Sequence, residues 1–205
     1  MQINLTDVSH SFSGQPQLFT HVTFSICSGE MVAIVGPSGS GKSTLLSILA
    51  GWQKPSEGEV LRSGIESISW VFQNPHGVAQ RSALDHVSLP LLARGLGRSE
   101  ADTEARRILE IFGLLELSHR PFSSLSGGEA QRLMLSRAVA KKPSVLLVDE
   151  PTAQLDMASA KTVNAVLSSL SGIDSIVVVA THDFHTRDAC SRVIDLNDFI
   201  IDESS

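Results

Sequence analysis

The chain has 205 residues, with 16 Lys plus Arg against 22 Asp plus Glu, and a formal net charge of −6 at pH 7. At 42% hydrophobic residues it can bury a core as one domain, which excludes a disordered chain, a collagen-like repeat and a disulfide scaffold. Its mild acidity argues against a general nucleic-acid binder, and no apolar stretch approaches the roughly 18–20 residues that a membrane-spanning helix needs.

Alternating apolar residues open the chain. Ile3 and Leu5, then Val22, Phe24 and Ile26, recur at period two and predict two half-buried strands, with Ser13-Gly14-Gln15-Pro16 as the turn between them. Met31–Val35 is a short continuous apolar run, the pattern of a strand covered on both faces. A glycine-rich loop follows, and then Leu45, Leu46, Ile48 and Leu49 on one side of a helix ending near Gly51. Val60 and Ser69–Phe72 are further short strands.

From about Ser82 to Lys142 the pattern is helical. Leu84, Val87, Leu91 and Leu92 form one stripe, broken at Gly95 and Gly97, and Ile108, Leu109, Ile111 and Phe112 form another, ended by Arg120-Pro121. Val145–Val148 is again a buried strand, followed by a helix from about Ser159 to Leu170 and by strands at Ile176–Ala180 and Val193–Leu196. Strands alternating with helices imply an α/β core with a mostly parallel sheet. Residues 82–142 lack strand signals and read as a helical lobe inserted into that core, which takes 1–81 and 143–205. Residues 94–142 hold nine basic and six acidic side chains, a contrast that ordinary solvated helix faces explain. Residues 1–30 carry no Lys or Arg and no continuous apolar core, so a secretory signal is not expected. Cys27 and Cys190 fit no metal-ligand or redox spacing and read as two buried thiols in a reducing compartment.

The chemistry concentrates in a few short segments. Gly36-Pro37-Ser38-Gly39-Ser40-Gly41-Lys42-Ser43-Thr44 lies between a strand and a helix and satisfies G-x-x-x-x-G-K-[ST] in the context that pattern requires. Its glycines let backbone N–H groups converge on phosphate oxygens, and the helix N-terminus adds about half a positive charge at the same place. Lys42 suits the β- and γ-phosphates of ATP, and the Ser43 hydroxyl suits Mg²⁺. About a hundred residues later, the 145–148 run ends in Asp149-Glu150-Pro151. Two carboxylates at the carboxyl end of a buried strand are costly without a cation or hydrogen bonds to compensate them. Asp149 would position Mg²⁺ and Glu150 would orient or deprotonate an attacking water.

Leu125-Ser126-Gly127-Gly128-Glu129-Ala130-Gln131-Arg132 completes the set. Together with the phosphate loop and the acidic pair, in this order and spacing, it resembles the ATP-binding subunit of ABC transporters along almost the whole chain. The resemblance implies a phosphate-loop, RecA-like core with a small antiparallel β lobe and an inserted helical lobe. Ser126, Gly127 and Gly128 then contact the ATP held by a second, head-to-tail subunit, either a copy of this chain or a homologous one. Gln73 matches the residue that contacts Mg²⁺ and the attacking water, and His182 the one that contacts the γ-phosphate. Asp156 matches an aspartate of the loop crossing the dimer interface. Phe12 stands where an aromatic, often Tyr, stacks on adenine, although this chain has no Tyr and Phe12 as core filler stays open.

Leu89-Pro90-Leu91-Leu92 and Thr152-Ala153-Gln154-Leu155-Asp156 look most like the macrolide-export and lipoprotein-release group. Only fourteen residues separate Gly58 from Gln73, shorter than in many relatives, which leaves the size of the antiparallel lobe open. His182 and His185 at helical spacing could form a metal pair, but no further ligands gather near them in the sequence. The function implied is ATP hydrolysis at the cytoplasmic face of the membrane, energising separate permease subunits, with no nucleic-acid partner. Two alternatives share the phosphate loop. An ABC-type ATPase of nucleic-acid repair or translation would bind DNA or RNA, and a small-molecule kinase would leave the Leu125–Arg132 segment unexplained.

Overall fold

The computed structural model describes residues 1–171 and 175–200. Its first strands, β1 (Gln2–Ser11) and β2 (Gln17–Cys27), pair antiparallel, and β4 (Glu57–Ser63) joins them on the other side of β1. The period-two residues Ile3, Leu5, Val22 and Ile26 face inward, as their spacing predicts, so the short antiparallel lobe still has three strands. The remaining strands, β3 (Met31–Val35), β5 (Ile68–Val71), β6 (Val145–Asp149), β7 (Ile176–Ala180) and β8 (Arg192–Asp195), form a parallel sheet. Its order is β5-β6-β7-β3-β8.

Two cores flank this sheet. The pleat sends Leu146, Val148, Val177 and Val179 to one side. There they meet α2 (Ala83–Ala93), α3 (Arg98–Ile111), α4 (Gly127–Ala140) and α5 (Met157–Ser171). Val145, Leu147, Ile176 and Val178 go to the other side, against α1 (Lys42–Ala50) and the antiparallel sheet. A last short helix, α6 (Phe184–Asp188), precedes β8.

Three details differ from the sequence reading. The second helical stripe ends at Ile111, not at Arg120-Pro121, because Gly113 takes a φ of 66° and turns the chain into short 3₁₀ segments; Ile111 itself is exposed. Leu196 lies just past β8 and is buried by the turn that follows. Cys27 is exposed, since it follows the inward Ile26 and so takes the outward phase of β2, whereas Cys190 is half-buried. Both thiols are free, and burial pushes Cys190 up to about 11. No described helix is long and apolar enough to cross a membrane.

Candidate active site at the carboxyl edge of the parallel sheet

Four adjacent strands deliver the site. β5, β6, β7 and β3 run parallel with Val71 beside Val148, Asp149 beside Ala180 and Ala180 beside Ile34. Their next residues therefore emerge at one edge: Gln73 after β5, Asp149-Glu150 at the end of β6, His182 after β7 and the 36–44 loop after β3. Ligands of open α/β sheets bind at this edge. A cavity of about 660 Å³ opens there, lined by Phe12, Lys42, Ser43, Gln73, Asp149, Glu150 and His182 among others.

The 36–44 loop is held by its own backbone. Gly41 has a φ of 93° and packs on Phe19, so an added Cβ would lie 3.0 Å from that ring. A side chain there would be strained twice over. Lys42 Nζ donates to the Gly36 and Pro37 carbonyls at 2.8 and 2.9 Å, curling the ammonium over the loop. Pro37, Ser38, Gly39 and Thr44 line the cavity with it, whereas Ser40 is buried against Gly36 and contributes no lining surface.

Ser43 and Asp149 meet although 106 positions apart: the Ser43 hydroxyl donates to Asp149 Oδ2 at 2.6 Å. Burial pushes the Asp149 carboxyl above its usual range. The Ser43 hydroxyl and Lys42 oppose that rise, and the charge of Glu150 reinforces it. Glu150 sits at a φ of 50°, a conformation unusual for a non-glycine residue, fixed by its N–H donating to Ala180 O at 2.9 Å. That turn aims its carboxylate at His182, whose Nδ1 donates to Glu150 Oε1 at 2.8 Å, while Thr181 Oγ1 lies 3.5 Å from Oε2. Oriented in this way, the pair can accept a proton from a water and bear on a terminal phosphate. His182 is thus paired with a carboxylate and not with His185, and no cluster of three His, Cys, Asp or Glu that could hold a metal occurs among the described residues.

Phe12 stands at the cavity rim, 47% exposed, edge-on to His10 with ring centroids 4.9 Å apart. A half-exposed ring at a ligand cavity is not core filler, so one of its faces can take a stacked base. Leu18 lines the same wall and carried no sequence signal.

The remaining segment does not join this cavity. Ser126 caps α4, its Oγ accepting from Glu129 N while Glu129 Oε2 accepts from Ser126 N. Ser126 and Gly127 are exposed, and neither they nor Gly128 line the cavity. Asp156 likewise is exposed and accepts from the N–H and hydroxyl of Ser159 at 2.9 and 2.8 Å, at the start of α5. Arg132 donates to the same Ser159 hydroxyl, tying α4 to α5. Gln154 packs onto the start of α4 so closely that a Cβ at Gly127 would lie 2.4 Å from its Oε1. Gln131 is buried in α4 and reaches back to Phe72 O at 3.4 Å, just before Gln73. Neither contact was legible in the sequence.

Comparisons with known proteins bear on the family and the fold. Residues 19–153 match the family model described as ABC transporter. The chain is 39% identical to the lipoprotein-releasing system ATP-binding protein LolD of Koribacter versatilis, covering 97% of this chain and 96% of that protein. It is 36% identical to the macrolide export ATP-binding/permease protein MacB 2 of Aeromonas hydrophila, over 86% of this chain and 30% of that longer protein. Among solved structures, an ATP-binding cassette captured as a dimer in a post-hydrolysis state with ADP and Pi superposes with a TM-score of 0.84 at 31% identity, covering 94% of this chain and 93% of that one.

Proposed function

The chain belongs to the ABC transporter family, and from that premise we propose that its cavity hydrolyses ATP between two head-to-tail copies to drive separate membrane permeases. One observation carries this reading. The chain holds one cavity lined by the 36–44 loop, Gln73, Asp149, Glu150 and His182, and a second capped helix start, at Ser126, that faces solvent outside it. The second becomes useful only when it closes over the cavity of another copy. The solved relative at 31% identity was captured as a dimer bound to ADP and Pi.

In this site the 36–44 backbone, Lys42 and the α1 N-terminus stabilise charge on the phosphoryl group being transferred, with Phe12 stacking on the base. Glu150, held by His182, takes the proton of the attacking water, a contribution of roughly 10²–10⁴ in rate. The Ser43 hydroxyl, the Asp149 carboxylate and the Gln73 amide are hard oxygen donors that suit Mg²⁺, and a buried carboxylate raised by burial favours a cation beside it. When bound, that ion would neutralise phosphate charge. Asp156, Ser126, Gly127 and Gly128 reach the partner's nucleotide.

Membrane partners would dock beside Gln73, placing the chain on the cytoplasmic face. There Trp52, Trp70 and Phe72 form a ring cluster with centroids 4.9–6.0 Å apart, and Trp52 is 66% exposed. An adjoining cleft of about 230 Å³ runs between Phe72, Pro75, Met134 and Arg137, at the border with the 82–142 helical lobe. Exposed aromatic surface of this kind marks interaction sites. The deciding experiment is phosphate release from ATP by the purified chain with its permease. Hydrolysis should stop in excess EDTA; full activity there, or phosphate transfer to a small acceptor in place of water, would overturn the reading.

A further inference from the structure

His86 lies in the first turns of α2, fully enclosed, and the hydrolytic site leaves it without a role. Its ring makes two hydrogen bonds of opposite sense. Nδ1 faces the Ser82 carbonyl at 2.8 Å, which can only accept, and Nε2 faces the Val78 N–H at 3.0 Å, which can only donate. The ring is therefore neutral, with its proton on Nδ1. Burial lowers the ring's proton affinity; the Ser82 carbonyl and Asp85 on α2 oppose this, while Arg137 on α4 and Arg81 on the preceding loop add to it. The ring also packs on Phe122, with centroids 5.6 Å apart.

Val78 closes the loop that begins at Gln73. Gly77 lies under Phe122 so tightly that a Cβ would sit 2.5 Å from the ring. Ala79 O accepts from Ser123 N and Arg81 O from Phe122 N, both at 3.0 Å. The same segment leads directly into Ser126. At the other end of the loop, Gln131 of α4 holds Phe72 O. Gln73 is thus bracketed by two side chains of the helical region. We propose that His86, locked as the Nδ1–H tautomer, is a positioning residue that fastens the Gln73 loop to the segment carrying Ser126, so that both move as one body and protonation of the ring uncouples them. The inference rests on the hydrolytic role proposed for Gln73 and Ser126.

Nitrogen-15 NMR of histidine-labelled full-length chain, with His86→Gln used for assignment, tests the clamp directly. Near neutral pH the His86 signals should be those of a neutral ring protonated at Nδ1; an imidazolium or an Nε2–H ring would overturn the proposal. In phosphate-release assays His86→Phe, which strands the Val78 N–H, should lower kcat about 5- to 30-fold with ATP affinity unchanged. His86→Gln, whose Oε1 can still accept from Val78, should restore most of that rate and flatten the acid limb of activity below the usual histidine range, since burial lowers the ring's proton affinity. Wild-type kcat in His86→Phe, or identical acid limbs in wild type and His86→Gln, would refute the coupling. A wild-type chain without ATPase activity would overturn the functional reading, while the tautomer measurement would still decide the clamp.

Discussion

Replacing Glu150 with Gln separates the shape of the water-activating group from its basicity. In the structure Glu150 Oε1 accepts from His182 Nδ1 at 2.8 Å, and Oε2 lies 3.5 Å from Thr181 Oγ1. A glutamine carbonyl can keep the first contact, and its NH₂ can donate to the Thr181 hydroxyl, so the side chain should stay in place. The backbone at φ 50° is held by the Ala180 carbonyl, which the substitution leaves untouched. The fold should therefore be retained, and loss of the Glu150 charge relieves its repulsion with Asp149, so the melting temperature should not fall. What is lost is the ability to take a proton, worth roughly 10²–10⁴ in rate, or about 2.7–5.4 kcal/mol of barrier. Steady-state phosphate release should fall by about 100-fold or more while ATP affinity, measured separately by calorimetry, is retained. Sizing with saturating ATP should show a dimer, since closure precedes hydrolysis. A kcat within about tenfold of wild type, below the range expected of a general base, would refute the assignment, and so would a strictly monomeric variant in ATP.

Asp149→Asn should abolish Mg²⁺-dependent hydrolysis yet raise the melting temperature at pH 7, by about 2–4 °C for each kcal/mol gained. The sign follows from a carboxyl whose folded pKa lies above its unfolded one. Its favourable contribution is full below the unfolded value of about 3.9 and is lost as pH rises through the folded value, so the gain should vanish near pH 3. A lower melting temperature at pH 7 would contradict this. Phe12→Ala should weaken ATP binding by about 1–3 kcal/mol, roughly 5- to 150-fold in Kd, and unchanged affinity would dismiss the stacking role. Gly127→Ala should change stability by no more than about 0.5 kcal/mol, because its Cβ would meet only the far end of the exposed Gln154 side chain, which can swing aside. Gly128→Ala should cost about 1–3 kcal/mol in thermal unfolding, because its Cβ would meet the Gln154 main-chain oxygen at 2.9 Å, which cannot swing aside.

The strands and helices were legible because burial imposes a period. Two-fold alternation marked β1 and β2, continuous apolar runs marked β3, β6 and β7, and the glycine pattern marked the loop before Lys42. The helix ends at Ile111 and not at Arg120-Pro121, because the left-handed Gly113 turns the chain before the proline is reached. Cys27 is exposed although cysteine is a residue type that favours burial, because its phase on β2 points it outward.

The residue types at the site were likewise written in the chain: a lysine and hydroxyl in a glycine loop, two acids after an apolar run, and a capped helix start at Ser126. Local spacing determines such motifs, since each spans a single turn. Their mutual arrangement depends on strand order, and no residue of β3 declares that β7 and β8 will be its neighbours. Only the folded sheet brings Ser43 onto Asp149 and Glu150 onto His182, and only the packed helices turn Ser126 and Gly127 to solvent outside the cavity. The His86 clamp belongs with these: a histidine in an apolar helix looks like any other until both of its nitrogens have partners. Hydrogen bonds between residues distant in sequence reflect the free energy of the whole fold, so the tertiary structure alone decides them.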